Sequence, residues 1–130
     1  MHDLIKAMSS SASGLRAQSA RLRMIGENVA NADTPGFQRK RLVFERMVEH
    51  GTGAEMVRAG RINLDQSPAR ESYEPGHPMA DERGIVSYSN VDTLIEVADA
   101  REAQRSYQAN LTLFDQARRM YGSMLDLLRR

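Results

Sequence analysis

The chain has 130 residues, no cysteine, no tryptophan, and 18 Lys and Arg against 17 Asp and Glu, for a net charge of +1. That length suits one domain with or without an insertion. The charge balance excludes wholesale steering toward nucleic acid or acidic lipid, and zero cysteine excludes a disulfide framework or Cys-ligated zinc.

Residues 3–32 read as a helix. Steps of three and four select Leu4, Met8, Ser11, Leu15, Gln18, Leu22, Ile25 and Val29, an apolar stripe with two polar members. Asp3 is the expected N-cap. The stripe is weak from Ser9 to Gly14, where serines and a glycine replace good helix formers; a glycine costs about 1 kcal/mol relative to alanine. Such a helix is expected to fray alone and to form by packing. Asn31-Ala-Asp-Thr-Pro-Gly36 stops it, and Pro35 with Gly36 suits the centre of a type II turn. An early acid and the run Ser9-Ser-Ser-Ala-Ser13 stand where a signal peptide needs an apolar segment. Synthesis in the cytoplasm without a cleaved signal is therefore expected.

From Phe37 to Asn90 the period changes. Gln38–Glu45, Glu55–Leu64, Arg70–Tyr73 and Ile85–Tyr88 read as short strands, punctuated by Gly51-Thr-Gly, Ser67-Pro68, Glu74-Pro-Gly-His-Pro78 and Arg83-Gly84. Residues 37–90 are thus a small β- and loop-rich insertion. Arg39-Lys40-Arg41, with Arg46, could touch phosphate, but no aromatic platform interleaves them, and a salt-bridged or charged strand edge fits better. His2, His50 and His77 are too scattered to ligate a metal, and no phosphate loop or nucleophile elbow is present. No enzyme activity, cofactor or small-molecule substrate is expected.

Thr93-Leu-Ile-Glu96 fits a capping box, with Asp92 a rival N-cap, and opens a helix over 93–129 that would run roughly 50 Å. One seam follows Val97, Ala100, Gln104, Tyr107, Leu111, Phe114, Arg118, Tyr121, Leu125 and Leu128, broken by two polar residues. A second follows Leu113, Ala117, Met120, Met124 and Leu127. Two seams call for two neighbours. The N-terminal helix, through Leu15, Leu22, Ile25 and Val29, supplies one, and another molecule is expected to supply the other. A lipid-facing role is disfavoured, because the flanks lack the Lys/Arg-rich side of an interfacial helix. The expected fold is mainly α. Residues 1–36 and 91–130 form an antiparallel two-helix coiled coil, and 37–90 form a knob at one end. The first fifty residues are net basic and 51–93 net acidic, so copies packed side by side could use that contrast to fix register.

The segment Ser13-Gly-Leu-Arg-Ala-Gln-Ser-Ala-Arg-Leu-Arg-Met-Ile-Gly-Glu-Asn28-Val-Ala-Asn31-Ala-Asp-Thr-Pro35-Gly36-Phe37 resembles the N-terminal motif of bacterial flagellar axial proteins, the rod and hook group. Tyr73-Glu-Pro-Gly-His-Pro-Met-Ala-Asp-Glu-Arg-Gly-Ile-Val86, then Asn90-Val-Asp92 and Ser106-Tyr-Gln-Ala-Asn110, are similar to the proximal-rod members of that group. The resemblance implies a non-enzymatic rod subunit in the periplasmic part of the basal body. It implies paired terminal helices packed as a helical tube around a central export channel. Its implied partners are other copies, other flagellar rod proteins and the flagellar type III export apparatus, with no nucleic acid and no membrane insertion. Phe44-Glu-Arg-Met-Val48 resembles the group's export-gate motif, which marks Phe44 and Val48. Asn28 and Asn31 match its Asn-x-x-Asn and are expected to bond backbone groups of the following turn. Two alternatives within the group are the sister proximal-rod protein, against which the Tyr73–Asp92 block argues, and another rod or hook subunit. An alternative of a different class is a basic nucleic-acid adaptor working through Arg39, Lys40 and Arg41.

Overall fold

The computed structural model describes all 130 residues, in the order α1 (His2–Ala30), β1 (Lys40–Val48), β2 (Glu55–Leu64), β3 (Glu71–Tyr73), β4 (Ile85–Ser87) and α2 (Thr93–Leu128). The helices are 29 and 36 residues long. Between them lie two separate antiparallel pairs, β1 with β2 and β3 with β4. No helix is long and apolar enough to cross a membrane.

The N-terminus of α1 differs from expectation, and at that of α2 the rival cap takes the position. Met1, not Asp3, occupies the N-cap position of α1 and makes no side-chain bond. Asp3 lies inside the first turn, where its charge still favours the helix dipole. At α2 the cap is Asp92, whose carboxylate accepts the Leu94 amide at 3.0 Å. Glu96 does not close the expected box with Thr93; it is buried and bound to Arg39. A buried carboxylate needs a countercharge more than a helix end needs a second cap. After α1, the Phe37 amide donates to the Thr34 carbonyl at 3.2 Å, and Gly36 takes φ of 80°. Those are the requirements of a type II turn.

The helices run antiparallel. Gly14 faces Asn110, whose side chain would stand 2.7 Å from a Cβ at Gly14. Arg21 reaches Asp99 and Glu102 at 3.9 and 3.7 Å. On α2 the covered face consists of Glu96, Ala103, Asn110, Ala117 and Met124, alternating with Ala100, Tyr107, Phe114 and Tyr121, all buried or half-buried. Relative to the expected seam, the phase slips by one residue at alternate positions. Val97, Gln104, Leu111 and Arg118 are exposed, Leu125 is half-buried and Leu128 is exposed. Hydrophobic periodicity favours large side chains, whereas a close helix crossing selects small ones. The same selection explains α1. Its weak stretch is its most enclosed, with Ser11, Ser13, Gly14 and Ala17 all buried.

The β1–β2 half of the insertion does not stand off the end of the helix pair as a knob. The β1–β2 hairpin folds back along α1 toward the chain start. Asn28 holds both backbone groups of Lys40, donating to its carbonyl and accepting its amide, each at 2.9 Å. Farther back, Ser13 Oγ accepts the Val57 amide at 3.1 Å and the Ser10 hydroxyl donates to the Glu55 carbonyl. Lys6 lies beside Gly53 at the hairpin tip. Among the helices and strands, α1 therefore has two neighbours, α2 and the hairpin, while α2 has α1 alone. A register shift between Leu42 and Phe44 interrupts the ladder, the kind of irregularity that increases strand twist. Fourteen of the 130 residues are buried, and the apolar ones are alanines except for Met24, Ile25 and Val86. So thin a core gains little from apolar burial, which leaves polar latches an unusually large share of the work.

Candidate functional site

The main latch centres on Arg39, between the turn and β1. Its guanidinium donates to Glu96 through Nε, to Asp65 at 3.5 Å and to Asp99 at 3.2 Å. Its amide donates to Asn90 Oδ1 at 2.6 Å, and its carbonyl accepts the Asp65 amide at 2.8 Å. Asn90 also donates to the carbonyls of Asp65 and Ser67 at 2.9 and 3.0 Å. This hub joins the exit of α1, the root of the hairpin and the entry of α2. Burial works against the Arg39 charge, but Glu96, Asp99 and Asp65 outweigh it and raise the pKa further. Asp65 is held below the usual carboxylate range, first by the Ser67 hydroxyl and amide and then by Arg39. Glu96 is fully enclosed and its second oxygen has no hydrogen-bond partner, so Arg39 is its countercharge.

Lys40 pairs with Glu27 of α1. Two of the three cations in Arg39-Lys40-Arg41 are thus engaged within the chain. Arg41 is exposed, and one cation is no phosphate track.

A second latch adjoins the first. The buried Ser89 hydroxyl donates to the Ala32 carbonyl, and its oxygen accepts the Val91 amide at 3.2 Å. Tyr88 donates to Glu74, which raises the phenol above its ordinary pKa. Arg70 lies 4.8 Å over the Tyr88 ring and bonds Asp33 at 2.8 Å. His77 stands edge-on to Tyr88, and its Nδ1 accepts the Met79 amide at 3.0 Å. No group of His, Cys, Asp or Glu is arranged to hold a metal ion.

The remaining candidates divide by exposure. Leu113, Met120 and Leu127 are 55, 57 and 66% exposed. Ala117 is buried beneath α1 and Met124 is half-buried, so Ala117 is out of a neighbour's reach while the pair holds. On α1, Ile25 is buried, Leu15 and Leu22 are half-buried, and Val29 is exposed. Phe44 is half-buried and Val48 exposed on β1. Asn31 bonds the Glu27 carbonyl at 2.9 Å as C-cap, whereas Asn28 skips the turn and binds β1. Pro35 and Phe37 are half-buried on either side of exposed Gly36. Sequence reasoning missed Arg39, Glu96, Asp65 and Asn90 as one site. Their only local signal was an acid inside a helix's first turn and a cation just ahead of a strand.

Two family models match the chain. One described as "Flagella basal body rod protein" matches residues 8–38, covering most of α1 and the turn. One described as "Flagellar basal body rod FlgEFG protein C-terminal" matches 82–127, covering β4 and nearly all of α2. Terminal helices joined by a short β region, with these two matches at their ends, define a flagellar basal-body rod protein. Over its whole length the chain is similar to the flagellar basal-body rod protein FlgC of Agrobacterium fabrum, 43% identical across 99% of this chain and 98% of the relative. FlgC of Escherichia coli O157:H7 is 35% identical across 88 and 90%. FlgC of Borreliella burgdorferi is 30% identical across 96 and 97%. The chain belongs to the FlgC family. It is a structural subunit of the flagellar rod and not an enzyme, and its place is the basal body.

Proposed function

We propose that the chain is a proximal-rod subunit of the periplasmic drive shaft, exported unfolded by the flagellar type III apparatus and polymerised around a central channel. The α1–α2 pair serves as an antiparallel coiled coil, the inner rod domain of residues 1–36 and 91–130, with 37–90 as its insertion. Its partners are other copies and other rod proteins. The observation that carries this reading is the row Leu113, Met120 and Leu127, left in water on a helix whose adjacent face is already covered. Large apolar side chains at seven-residue spacing are what a neighbouring helix buries.

Phe44 and Val48 engage the export gate during transit, when the strand that half-buries Phe44 is not formed. Unchanged secretion of a Phe44→Ala protein that remains detectable would sink that role. Asn28 and Asn31 shape the junction between helix and insertion. The reading as a whole is tested by deleting the gene and imaging basal bodies by electron cryotomography. Rod growth should stop at the inner-membrane ring and be restored by the intact chain, but not by one truncated at Leu111. A complete rod with normal swimming overturns the proposal.

A further inference from the structure

Two surfaces away from the hub are unpartnered in complementary ways. Midway along the helix pair, Arg16 and Arg23 of α1 flank an open cleft of about 420 Å³, walled by Tyr107 of α2 and floored by Leu15, Ser19 and Ala20. No carboxylate lines it. Arg21 is turned to Asp99 and Glu102, but Arg16 and Arg23 are exposed and pair with no acid. The second surface is the β3–β4 unit. Ser72 stands across the ladder from fully buried Val86, so Glu71 and Tyr73, two residues apart, share the outer face. Tyr73 is 72% exposed, yet its ring is seated. It lies across Gly84, where a Cβ would stand 2.9 Å from it and where φ is 78°. The turn closed by Gly84 carries Glu82. Arg83 pairs with Asp81, Arg70 pairs with Asp33, and Glu74 accepts the Tyr88 hydroxyl. Glu71 and Glu82 are exposed and have no cation.

We propose that these surfaces meet between molecules: Tyr73 of one copy enters the cleft of a neighbouring copy, with Glu71 and Glu82 against the guanidiniums of Arg16 and Arg23. The occupant is a second copy because this chain carries both halves, and each half lacks what the other supplies. The cleft offers two unpaired cations around an apolar floor and an aromatic wall. The β3–β4 face offers an aromatic ring beside two unpaired acids. Opposite charges set orientation and register, and a seated tyrosine contributes contact area at little ordering cost. Guanidiniums beside the incoming ring add a cation–π attraction. The halves cannot meet within one chain. The Gly36 amide, bonded to the Ser87 and Tyr88 carbonyls at 3.2 and 3.1 Å, and the Arg70–Asp33 pair hold β3–β4 at the far end of α1. The rise from Ser19 to that end is roughly 17 Å, so neighbours stand side by side with a stagger of that order. Different patches meet across the contact, which is therefore heterologous. The inference rests on the assembly proposed above and adds to it the lateral contact.

Replacing Tyr73 by p-benzoylphenylalanine exchanges one aromatic ring for a photoreactive one. The variant is made in cells lacking the native gene, and isolated basal bodies are irradiated. The expected product is a dimer of this chain, joined from position 73 to the 15–23 segment of α1 or to Tyr107. Capture of a different rod protein overturns the proposal, as does attachment to another part of this chain. So does absence of cross-links in basal bodies that contain the variant, an outcome that leaves the rod assignment standing. Absence of the native chain from basal bodies removes the rod reading and this contact together. Should the photoreactive variant fail to incorporate, charge reversal decides. Arg16→Glu with Arg23→Glu should shrink the swimming halo severalfold, and so should Glu71→Arg with Glu82→Arg. All four substitutions together should restore much of it, a recovery that two merely structural lesions would not give. Normal swimming of either pair, or no gain in the fourfold variant, overturns the proposal.

Discussion

At the hub end of the helix pair, Arg39 is enclosed by three carboxylates, Lys40 is paired, and Asn28, Ser89 and Asn90 tie the crossing segments together. At the terminal end no ion pair joins α1 to α2, and Leu127 and Leu128 face outward. The contrast separates two ways of stabilising a thin protein. Polar latches are directional and can be completed within one chain, whereas an apolar stripe needs area, which this chain does not supply at that end.

The sharpest way to break the contrast is Arg39→Ala. It leaves Glu96 enclosed without a countercharge and should cost about 3–5 kcal/mol in denaturant unfolding. Arg39→Ala with Glu96→Gln should recover most of that, because the uncompensated charge is gone. A single variant as stable as the native chain would show that the hub is not a latch.

Gly14→Ala tests the close crossing between the ends. Its Cβ would stand 2.7 Å from Asn110, and crowding of that kind costs about 1–3 kcal/mol. In an Asn110→Ala background the same change should turn stabilising by up to about 1 kcal/mol, the helix propensity that glycine forgoes. Failure of the sign to change across the double-mutant cycle would disprove the crowding.

A smaller effect separates the ends by pH. Asp65 has a folded pKa below its unfolded one. Its contribution is therefore fully present above the ordinary carboxylate value, about 4, and is lost as pH falls through the folded value. Asp65→Asn should flatten that acid limb of the stability curve; an unchanged limb would place the acid sensitivity elsewhere. Least of all for the monomer, Leu113→Ser with Leu127→Ser should shift stability by no more than about 0.5 kcal/mol per site, yet stop rod growth. Normal motility in that variant would remove the role given to the exposed row.

Much of the architecture was legible in the sequence. Three-and-four spacing marks both helices, β-rich runs mark the four strands, and Pro35-Gly36 marks the turn. The phase of the α2 seam was not legible, because Ala103, Asn110 and Ala117 are covered for being small and carry no hydrophobic signal. The course of the hairpin was hidden for a related reason: it is fixed by hydroxyls of Ser10 and Ser13, which read as helix weakness. The hub escaped because Arg39 and Glu96 each have a plausible local explanation, and only the fold brings them together.

The hairpin's course along α1 also sets an order of events. It closes on α1 across 45 residues at Ser10 and Glu55, whereas α2 must close across about twice that span. Each doubling of a loop adds about 0.6 kcal/mol of closure entropy. The loop arithmetic therefore favours the hairpin's contact with α1 as the earlier to close, with α2 the later arrival, and the Arg39 hub is completed only when α2 brings Glu96 and Asp99 to it.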